Sequence, residues 1–568
     1  MKPATLPQER SAAHVPALAD DVRAGRWQST WSLSMLGSLL MFVALPPLAW
    51  WPLAWVAPVP WLLLILRPRL PGRRPYLVLW VAGFAFWLSA LHWLRLPHWA
   101  TGIGWVALSF YLAFYLPLFV WLARVAVHQL GTSLLLAAPI IWTALELLKA
   151  HFLTGFTMGS LGHTQYRWPE IIQISALAGG YTVSCLIVLV AACLAKTIYR
   201  DEAARAWWPL LIAPLAMLAA WGYGHFALSQ QAASAEQPSL RVALIQGSYD
   251  TQFDLPPERN PQREVHELYG RLTRAALRDE PDIDLVVWPE TMFGYTQGLL
   301  DESQAAGADV AEVKRLRERC RQTQEGLAEV HRQLNLGRRQ PWNWIVGVDT
   351  WQHRYIGGEM LIERYNSAQL VDAAGAIQQR YDKMHPVVFG EYVPWGKTFP
   401  WLYHLTPMAG GIENGAGPKS FAVGPLRFSP NICYETVIPH LIRRQVVELR
   451  RRGEEPDVLV NLTNDGWFWG SSELDLHLAC GVFRAVECRK PLVIAANTGF
   501  SAHIDGNGRI LQQGPRHAEG HLIAQVQRDG RDSLYLRIGD WPAGICLLLT
   551  AGVAVFGIRS RMAPAMQA

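Results

Sequence analysis

Eight long apolar runs constrain what this chain can fold into more than any other feature. A membrane-spanning helix needs about 20 mostly apolar residues. Seven candidate runs precede residue 230, near 31–48, 52–66, 76–94, 104–124, 132–149, 171–195 and 207–228. An eighth, WPAGICLLLTAGVAVFGI, begins at Trp541. A cleaved signal peptide does not account for them, because the first run is followed by six more. The pattern predicts a multi-span membrane protein.

The distribution of arginine and lysine predicts which side of the membrane each loop occupies, because cytoplasmic loops retain these residues. Basic residues precede run one and follow runs two, four, six and eight: Arg23, Arg26, Arg67, Arg69, Arg73, Arg74, Arg124, Lys196, Arg200, Arg205, Arg559 and Arg561. With eight spans, all five clusters fall on one side. The sequence therefore predicts that both termini are cytoplasmic. The predicted parts are a tail (1–30), a seven-span membrane domain (31–228), an outer domain (229–538), an eighth span (539–558) and a second tail (559–568).

The outer region has a different composition, since 17 of the 26 tryptophans precede residue 230. From Leu240 onward, short β-rich runs alternate with helical stretches. Runs such as DLVV and DVLVNL are apolar on both faces, which is typical of strands covered by helices on both sides. The pattern predicts a layered α/β domain. Its charged segment 301–339 has a helical period and is predicted to be a helical insertion that projects from the core, with Cys320 inert.

Cysteine spacing and charge exclude several classes of function. The seven cysteines form no CxxC pair and no His/Cys cluster at metal-ligand spacing, which argues against a zinc site or a disulfide framework. The net charge of +5 is modest for 568 residues, and no Lys/Arg block is interleaved with aromatics. We therefore expect no nucleic-acid partner.

Reactive side chains follow three predicted strands. VVWPE carries Glu290, RYDKMHPVVFGEYVP carries Lys383 and Glu391, and NICYE carries Cys433 and Glu435. Each has an ordinary explanation on its own: an acid at a helix N-terminus, a solvated surface amine and a small buried hydrophobe. Together they supply a carboxylate, an ammonium and a thiol. Acyl transfer through a thioester requires that combination.

The chemistry of these groups suggests a role for each. A thiol with a pKa of about 8.5 is mostly protonated at neutral pH and needs a base. Glu290 would serve if apolar surroundings raised its own pKa. Lys383 would favour the thiolate and, with a backbone N–H beside Cys433, stabilise the tetrahedral oxyanion. Glu391 and Glu435 would either hold Lys383 in place or orient the attacking group.

The fifth apolar run contains two ionisable residues, Glu146 and Lys149, one helical turn apart in WTALELLKAHF. Ionisable groups at membrane depth are costly, and pairing at i,i+3 lowers the cost. Two interpretations stay open: a functional pair that seats a lipid head group or the outer loop, or a structural ion pair between helices. The Gly-rich segment that follows, LTGFTMGSLGHTQYRWPE, is predicted to fold back beside the outer domain.

The motifs VVWPET, YDKMHPVVFGEYVPWG, NICYET and NLTNDGWFWG resemble the nitrilase superfamily, which shares an α-β-β-α sandwich and a Glu-Lys-Cys triad. With eight spans, nearly the whole chain resembles the membrane-embedded branch of that superfamily, the apolipoprotein N-acyltransferases. The resemblance implies an α-helical membrane bundle of eight spans plus an extracytoplasmic α/β nitrilase-like domain. It places the chain in the bacterial inner membrane with its catalytic domain on the periplasmic side, and we expect a monomer.

The resemblance also implies a role for each site residue: Glu290 is the general base, Lys383 the oxyanion stabiliser and Cys433 the nucleophile, supported by Glu391, Tyr434 and Glu435. In the implied reaction, Cys433 takes the sn-1 acyl chain of a phospholipid. The thioester then acylates the α-amine of a lipoprotein's N-terminal diacylglyceryl-cysteine. No metal or soluble cofactor is expected.

Two other classes of function remain to be weighed. A membrane-anchored amidase or nitrile hydrolase would share the first half-reaction, but it would need only one span. A transporter or lipid-binding protein with a degenerate domain would typically show matching halves with interrupted helices. The sequence shows no such repeat, and all three triad positions keep their chemical identity.

Overall fold

The structure is a computed structural model. It describes residues 29–199, 208–230, 237–251 and 259–562, apart from 304, 306–307, 337, 339 and 406–409. The predicted N-terminal tail therefore lies almost wholly outside the described residues, as does the end of the C-terminal tail.

Apolar helices form at the predicted places. Before residue 230 these are α1 (Thr30–Ala44), α2 (Val59–Leu66), α3 (Pro75–Ala90), α4 (Thr101–Leu112), α5 (Tyr115–His128), α6 (Leu134–His151), α7 (Tyr181–Ile198) and α8 (Pro209–Ser229). Among the described residues, five stretches are long and apolar enough to cross a membrane: Thr101–His128, Leu134–Thr154, Tyr181–Ile198, Pro209–Ser229 and Trp541–Ser560. The apolar stretches before them, Thr30–Ala44, Trp51–Leu66 and Pro75–Ala90, are shorter. A bundle of apolar helices is thus confirmed, and the count of eight spans stays a prediction.

The sixth apolar run differs from the single helix predicted over 171–195. Two short helices, Pro169–Ile172 and Ser175–Ala178, come first, and the long helix α7 begins only at Tyr181. Gly179 separates them with a φ of +82°, in the left-handed region where glycine is the favoured residue. Apolar composition alone does not reveal this break, because the sequence stays mostly apolar on both sides of it.

The outer domain contains two sheets and the helices that cover them. Its strands are β1 (Ser239–Gln246), β2 (Leu285–Trp288), β3 (Gln297–Asp301), β4 (Asn343–Ile356), β5 (Glu359–Val371), β6 (Ile377–Asp382), β7 (Phe421–Val423), β8 (Leu426–Ile432), β9 (Val458–Thr463), β10 (Leu492–Ala496), β11 (Ala502–Ile504), β12 (Ile510–Gln513) and β13 (Gly520–Gln527). Its helices are α9 (Pro261–Asp279), α10 (Val310–Leu334), α11 (Pro439–Arg451), α12 (Glu473–Cys488) and α13 (Leu534–Ile538), and α14 (Trp541–Met562) closes the chain.

The two sheets pack face to face in an α-β-β-α sandwich. The first has the order β13-β1-β2-β4-β5-β6 with β3 beside β4, and the second has the order β12-β11-β10-β9-β8-β7. Strands β1, β2 and β4 run parallel in the first sheet, as do β8, β9 and β10 in the second. Apolar side chains from both sheets form a single buried layer between them. The carboxyl ends of the parallel strands are where α/β folds place reactive groups.

The segment 301–339 was predicted to project from the core, and the structure corrects this. Its helix α10 lies on the outer face of the first sheet, where Leu327 and Leu334 are buried against Trp342 and Trp344. Cys320 is also buried, beside Gly298 of β3. The charged face of α10 points to solvent. In the sequence, this high charge suggests a helix that does not pack on the core.

Helix α12 joins the outer domain to the membrane helices. Every residue of α12 except Asp475 is buried, and the helix packs on residues 161–165 and on Ser175–Ala178. Apolar side chains of α12, β9 and β10 belong to the same buried cluster as those of α1 through α7. The predicted fold-back of the loop after α6 is therefore observed.

Candidate active site

Three strand ends bring the predicted reactive groups together. Glu290 follows β2, Lys383 directly follows β6, and Cys433 directly follows β8 of the opposite sheet. The Lys383 Nζ lies 3.2 Å from Glu290 Oε1 and 2.8 Å from Glu391 Oε1. The lysine is only 1% exposed, so it is not the solvated surface amine that its sequence position alone would suggest.

Glu290 is held by hydrogen bonds at both carboxylate oxygens. The Asn366 Nδ2 donates to Oε1 at 2.6 Å, and the Asn464 backbone N–H donates to Oε2 at 2.9 Å. Burial raises the pKa of Glu290 above its usual range, and Lys383 offsets only part of that shift. This direction is the one a general base needs, because a higher pKa makes the carboxylate a stronger proton acceptor.

Lys383 is an ammonium ion between two carboxylates. Burial lowers its pKa, but Glu290 and Glu391 outweigh burial and hold the pKa well above its usual value. Glu391 is itself fixed, since the Val387 N–H donates to its Oε2 at 2.7 Å. The positive charge is therefore fixed in place at the site, where it can stabilise a developing oxyanion.

Cys433 begins a short 3₁₀ turn, Cys433–Val437, with a φ of +51°. A non-glycine residue in this region is strained, and such strain is often found where a side chain is presented for chemistry. Its carbonyl oxygen accepts hydrogen bonds from Asn461 Nδ2 and His477 Nε2, each at 3.2 Å. Burial and then the charge of Glu290 raise the pKa of the Cys433 thiol well above its usual value, although Lys383 lowers it. The resting site thus pairs a neutral thiol with a base.

Glu435 organises the backbone around the site. Its carboxylate accepts hydrogen bonds from Tyr381 Oη at 2.7 Å and from the N–H groups of Met384 at 2.7 Å, His385 at 3.0 Å and Ile432 at 2.7 Å. Met384 and His385 directly follow Lys383, and Ile432 directly precedes Cys433. Of the two predicted supporting acids, Glu391 contacts Lys383 directly, and Glu435 fixes the segments that carry Lys383 and Cys433.

Tyr434 links the site to the membrane helices. Its hydroxyl donates to the Gly155 carbonyl oxygen at 2.9 Å, just beyond the end of α6. Gly155 has a φ of +87°, and a Cβ there would lie 2.2 Å from the Ala150 carbonyl oxygen, so only glycine fits. The Thr157 hydroxyl donates to the Val437 carbonyl oxygen at 2.5 Å. The turn that begins at Cys433 therefore rests on the loop after α6.

Glu146 and Lys149 lie on α6, below this loop and apart from the triad. The Glu146 Oε1 accepts hydrogen bonds from Trp142 Nε1 at 3.1 Å and from the Leu161 N–H at 3.2 Å. The Lys149 Nζ lies 5.2 Å from the centre of the Trp87 ring. Both side chains are buried. Glu146 thus ties the loop to α6, as the interpretation that the pair seats the outer loop expects, and both interpretations of the pair stay predictions.

Sequence reasoning missed the amides and the histidine around the site. Asn366 and Asn464 hold Glu290, and Asn461 and His477 hold the Cys433 carbonyl. Asn464 and Asp465 lie in the motif NLTNDGWFWG, whose resemblance to the nitrilase superfamily was the sequence feature that could have indicated them. No comparable signal marked His477, because it occupies an apolar helix.

Two groups among the described residues have the spacing to hold a metal ion: Asp465, Glu473 and His477, and His151, His440 and Asp540. In the first group both nitrogens of His477 are already engaged, by Asp465 at 3.3 Å and by the Cys433 carbonyl. The His477 imidazole is therefore not free to bind a metal ion. In the second group the two histidine rings stack 4.0 Å apart.

Comparisons with known proteins match both parts of the chain. Residues 37–193 match the family model of the apolipoprotein N-acyltransferase N-terminal domain, and residues 241–534 match that of the carbon-nitrogen hydrolases. The chain is 31% identical to an apolipoprotein N-acyltransferase of Rhodopirellula baltica over 92% of this chain and 95% of that one. It is 34% identical to the one from Geobacter metallireducens over 93% and 95%. Among solved structures, an amidase from Nesterenkonia sp. is 18% identical and covers 54% of this chain and 95% of its own, with a TM-score of 0.35.

Proposed function

This chain belongs to the apolipoprotein N-acyltransferase family, and from that premise we propose how its residues carry out lipoprotein N-acylation. The observation that carries the proposal is the Glu290–Lys383–Cys433 cluster, resting on the loop at the end of a membrane helix. In this proposal, Cys433 is the nucleophile, Glu290 the general base and Lys383 the oxyanion stabiliser. Glu391, Tyr434 and Glu435 position these three groups.

The first half-reaction forms a thioester. The Cys433 Sγ attacks the carbonyl carbon of the sn-1 ester of a phospholipid while Glu290 accepts the thiol proton. The oxyanion that forms is stabilised by the Lys383 ammonium and a backbone N–H. Collapse of the tetrahedral intermediate breaks the ester C–O bond, and Glu290 returns the proton to the departing lysophospholipid alkoxide.

The second half-reaction transfers the acyl chain to nitrogen. The α-amine of a lipoprotein's diacylglyceryl-cysteine attacks the thioester carbonyl and loses a proton to Glu290. The Cys433 thiolate leaves and is reprotonated by the same carboxyl group, which restores the resting site. Lys383 stabilises both tetrahedral oxyanions. The same three residues therefore act first on the phospholipid donor and then on the lipoprotein acceptor.

The membrane placement supports this choice of substrates. We propose eight spans in the bacterial inner membrane, both termini in the cytoplasm, the catalytic domain on the periplasmic side and a monomeric chain. The basic clusters around the apolar runs support this orientation. A cysteine replacing exposed Arg315 should react with an impermeant maleimide in spheroplasts, and one replacing Arg73 should not. The reverse labelling would refute the orientation.

The experiment that tests the reaction separates transfer from hydrolysis. Full-length protein is incubated with phospholipid labelled in its sn-1 chain, and acyl-protein is measured by mass spectrometry. We expect a thioester on Cys433 that is absent in Cys433→Ala. A diacylated lipopeptide should discharge it quickly, and water should discharge it slowly. Rapid release of free fatty acid without an acceptor would instead assign the chain to the membrane-anchored hydrolases.

A further inference from the structure

A cleft of about 620 Å³ opens between the membrane helices and the catalytic domain, away from the triad. Its lining comes from the ends of α6 and α14, from α11 and from the segment around α13. The lining residues include none of the residues assigned to the acyl-transfer reaction. Its volume is within the range of small-molecule sites.

One wall of the cleft is apolar and belongs to two candidate spans. Helices α6 and α14 pack side by side and contribute Leu147, Leu148 and Leu547. The adjoining face of α14 is exposed along its length, with Leu548 72% exposed. Trp541, also exposed, lies at the start of α14, where aromatic residues mark a membrane interface. Lipid chains can therefore reach this wall from the bilayer.

The opposite side of the cleft carries three guanidinium groups. Arg443 is fixed, since its Nε donates to the Tyr535 carbonyl at 2.9 Å and its Nη2 to the Leu536 carbonyl at 2.8 Å. Arg451 is exposed, and its guanidinium group has no hydrogen-bond partner within the described part of the chain. The Arg537 side chain is 69% exposed, and its Nε forms one ion pair, with Asp532 Oδ2 at 3.0 Å.

A single carboxylate faces these arginines inside the cleft. Asp540 accepts a hydrogen bond from Tyr535 Oη at 2.8 Å and lies 3.7 Å from His151 Nε2. The lining therefore holds three positive charges and one negative charge when His151 is neutral. A surplus of positive charge disfavours a metal ion and favours an anion. Guanidinium groups match phosphate oxygens in charge and geometry.

We propose that this cleft is a binding site for an anionic phospholipid. The phosphate would lie against Arg451, Arg537 and Arg443, and the acyl chains would lie along α6 and α14. A bound lipid would bridge α11 and α13 of the catalytic domain to the last membrane helix. The site goes beyond the acyl-transfer reaction, because it is a lateral site for a lipid that is not consumed.

The apolar half of the proposal is tested by filling the cleft. A Cβ at Gly544 meets no atom within 4 Å, so the side chain added by Gly544→Leu begins in open space at the cleft. Gly552 is on the same helix, equally unobstructed and outside the cleft, which makes Gly552→Leu the matched control. Both changes replace a helical glycine and should not lower helix stability.

The charged half is tested by removing two guanidinium groups. Arg451→Gln/Arg537→Gln removes two charges from the cleft and leaves Arg443 on its backbone carbonyls. Arg315→Gln/Arg319→Gln removes two charges from the exposed face of α10, outside the cleft, and is the matched control. We expect binding of the anionic lipid to weaken about tenfold, because charge-assisted hydrogen bonds at an exposed site contribute about 1–2 kcal/mol.

Binding is measured by native mass spectrometry of the full-length Cys433→Ala protein, so that no lipid is turned over and the result is independent of the acyl-transfer proposal. The probes are phosphatidylglycerol, phosphatidylcholine and glycerol phosphate. We expect one more retained phosphatidylglycerol than phosphatidylcholine, its loss in Gly544→Leu and in Arg451→Gln/Arg537→Gln, and its retention in both controls. Glycerol phosphate should not compete at equal concentration. Equal retention in all variants, or equal retention of the two lipids, would overturn the site.

Discussion

The Cys433 thiol depends on groups that are far from it in the sequence. Glu290 and Lys383 lie 143 and 50 residues upstream, and the electrostatic balance among the three determines the resting state. Burial raises the pKa values of both Glu290 and Cys433, while Lys383 keeps its charge between two carboxylates. The thiol is therefore neutral at rest, and the proposed attack requires transfer of its proton to Glu290.

The raised pKa of Glu290 predicts the pH dependence of thioester formation. The carboxyl group must be deprotonated to act as a base, so the rate should rise with pH through that pKa. Because burial raises the pKa from its usual 4.5, the acidic limb should lie above pH 4.5. The limb is measured from the pH profile of acyl-enzyme formation with labelled phospholipid.

Glu290→Gln serves as the comparison for this profile. It should lower the rate about 10²–10⁴-fold, the usual contribution of a positioned base, and should abolish the acidic limb. A limb of unchanged position in Glu290→Gln would assign the titration to another group.

At the scale of elements, a neighbouring strand sets the position of a side chain in the candidate site. Strand β4 carries none of the three proposed triad residues, yet its Gly347 lets the segment after β2 pass close by. A Cβ on Gly347 would lie 2.2 Å from the Pro289 carbonyl oxygen and 2.7 Å from the Glu290 Cα. The Phe293 N–H donates to the Gly347 carbonyl at 3.1 Å and fixes the same approach. The position of Glu290 is thus set by a glycine on a neighbouring strand.

Gly347→Ala should therefore displace Glu290 and impair catalysis. We expect the rate of thioester formation to fall about 10²-fold, since a misplacement of about 1 Å can cost that much. The measurement is single-turnover acylation together with the melting temperature. Gly326→Ala is the control, because a Cβ there meets no atom within 4 Å and should leave the rate unchanged. Full activity in Gly347→Ala would mean that the segment after β2 shifts freely.

At the scale of the whole molecule, the catalytic domain and the membrane helices share one core. The buried Arg484 of α12 pairs with Glu487 at 2.8 Å and donates to the Val437 carbonyl at 3.3 Å, in the turn that begins at Cys433. Glu487 in turn accepts a hydrogen bond from the Gly180 N–H at 2.7 Å, at the start of α7. This chain of contacts connects the turn that begins at Cys433 to a membrane helix. The outer domain therefore packs directly against the membrane helices and is not joined to them by a linker alone.

Breaking this buried pair should destabilise the entire protein. Arg484→Ala leaves Glu487 buried without its cation, at a cost of about 3–5 kcal/mol. The joint replacement Arg484→Met/Glu487→Leu should cost less, because no unpaired charge remains. The two are compared by thermal unfolding in detergent. If the single variant melted no earlier than the double variant, the pair would not couple the two parts.

The sequence by itself determined which parts of the chain are apolar enough to enter a membrane, the two kinds of secondary structure and the three residues that we propose as the triad. Apolar runs, two-sided strands and reactive residues at strand ends are local patterns, and local patterns follow from side-chain chemistry and helical or strand period. Tertiary structure alone decided that α10 covers a sheet, that α7 begins after Gly179, and that Asn366, Asn464 and His477 complete the site. Those outcomes depend on which surfaces pack together among elements that are far apart in the sequence. Such contacts produce no periodic pattern of residues that sequence analysis could detect.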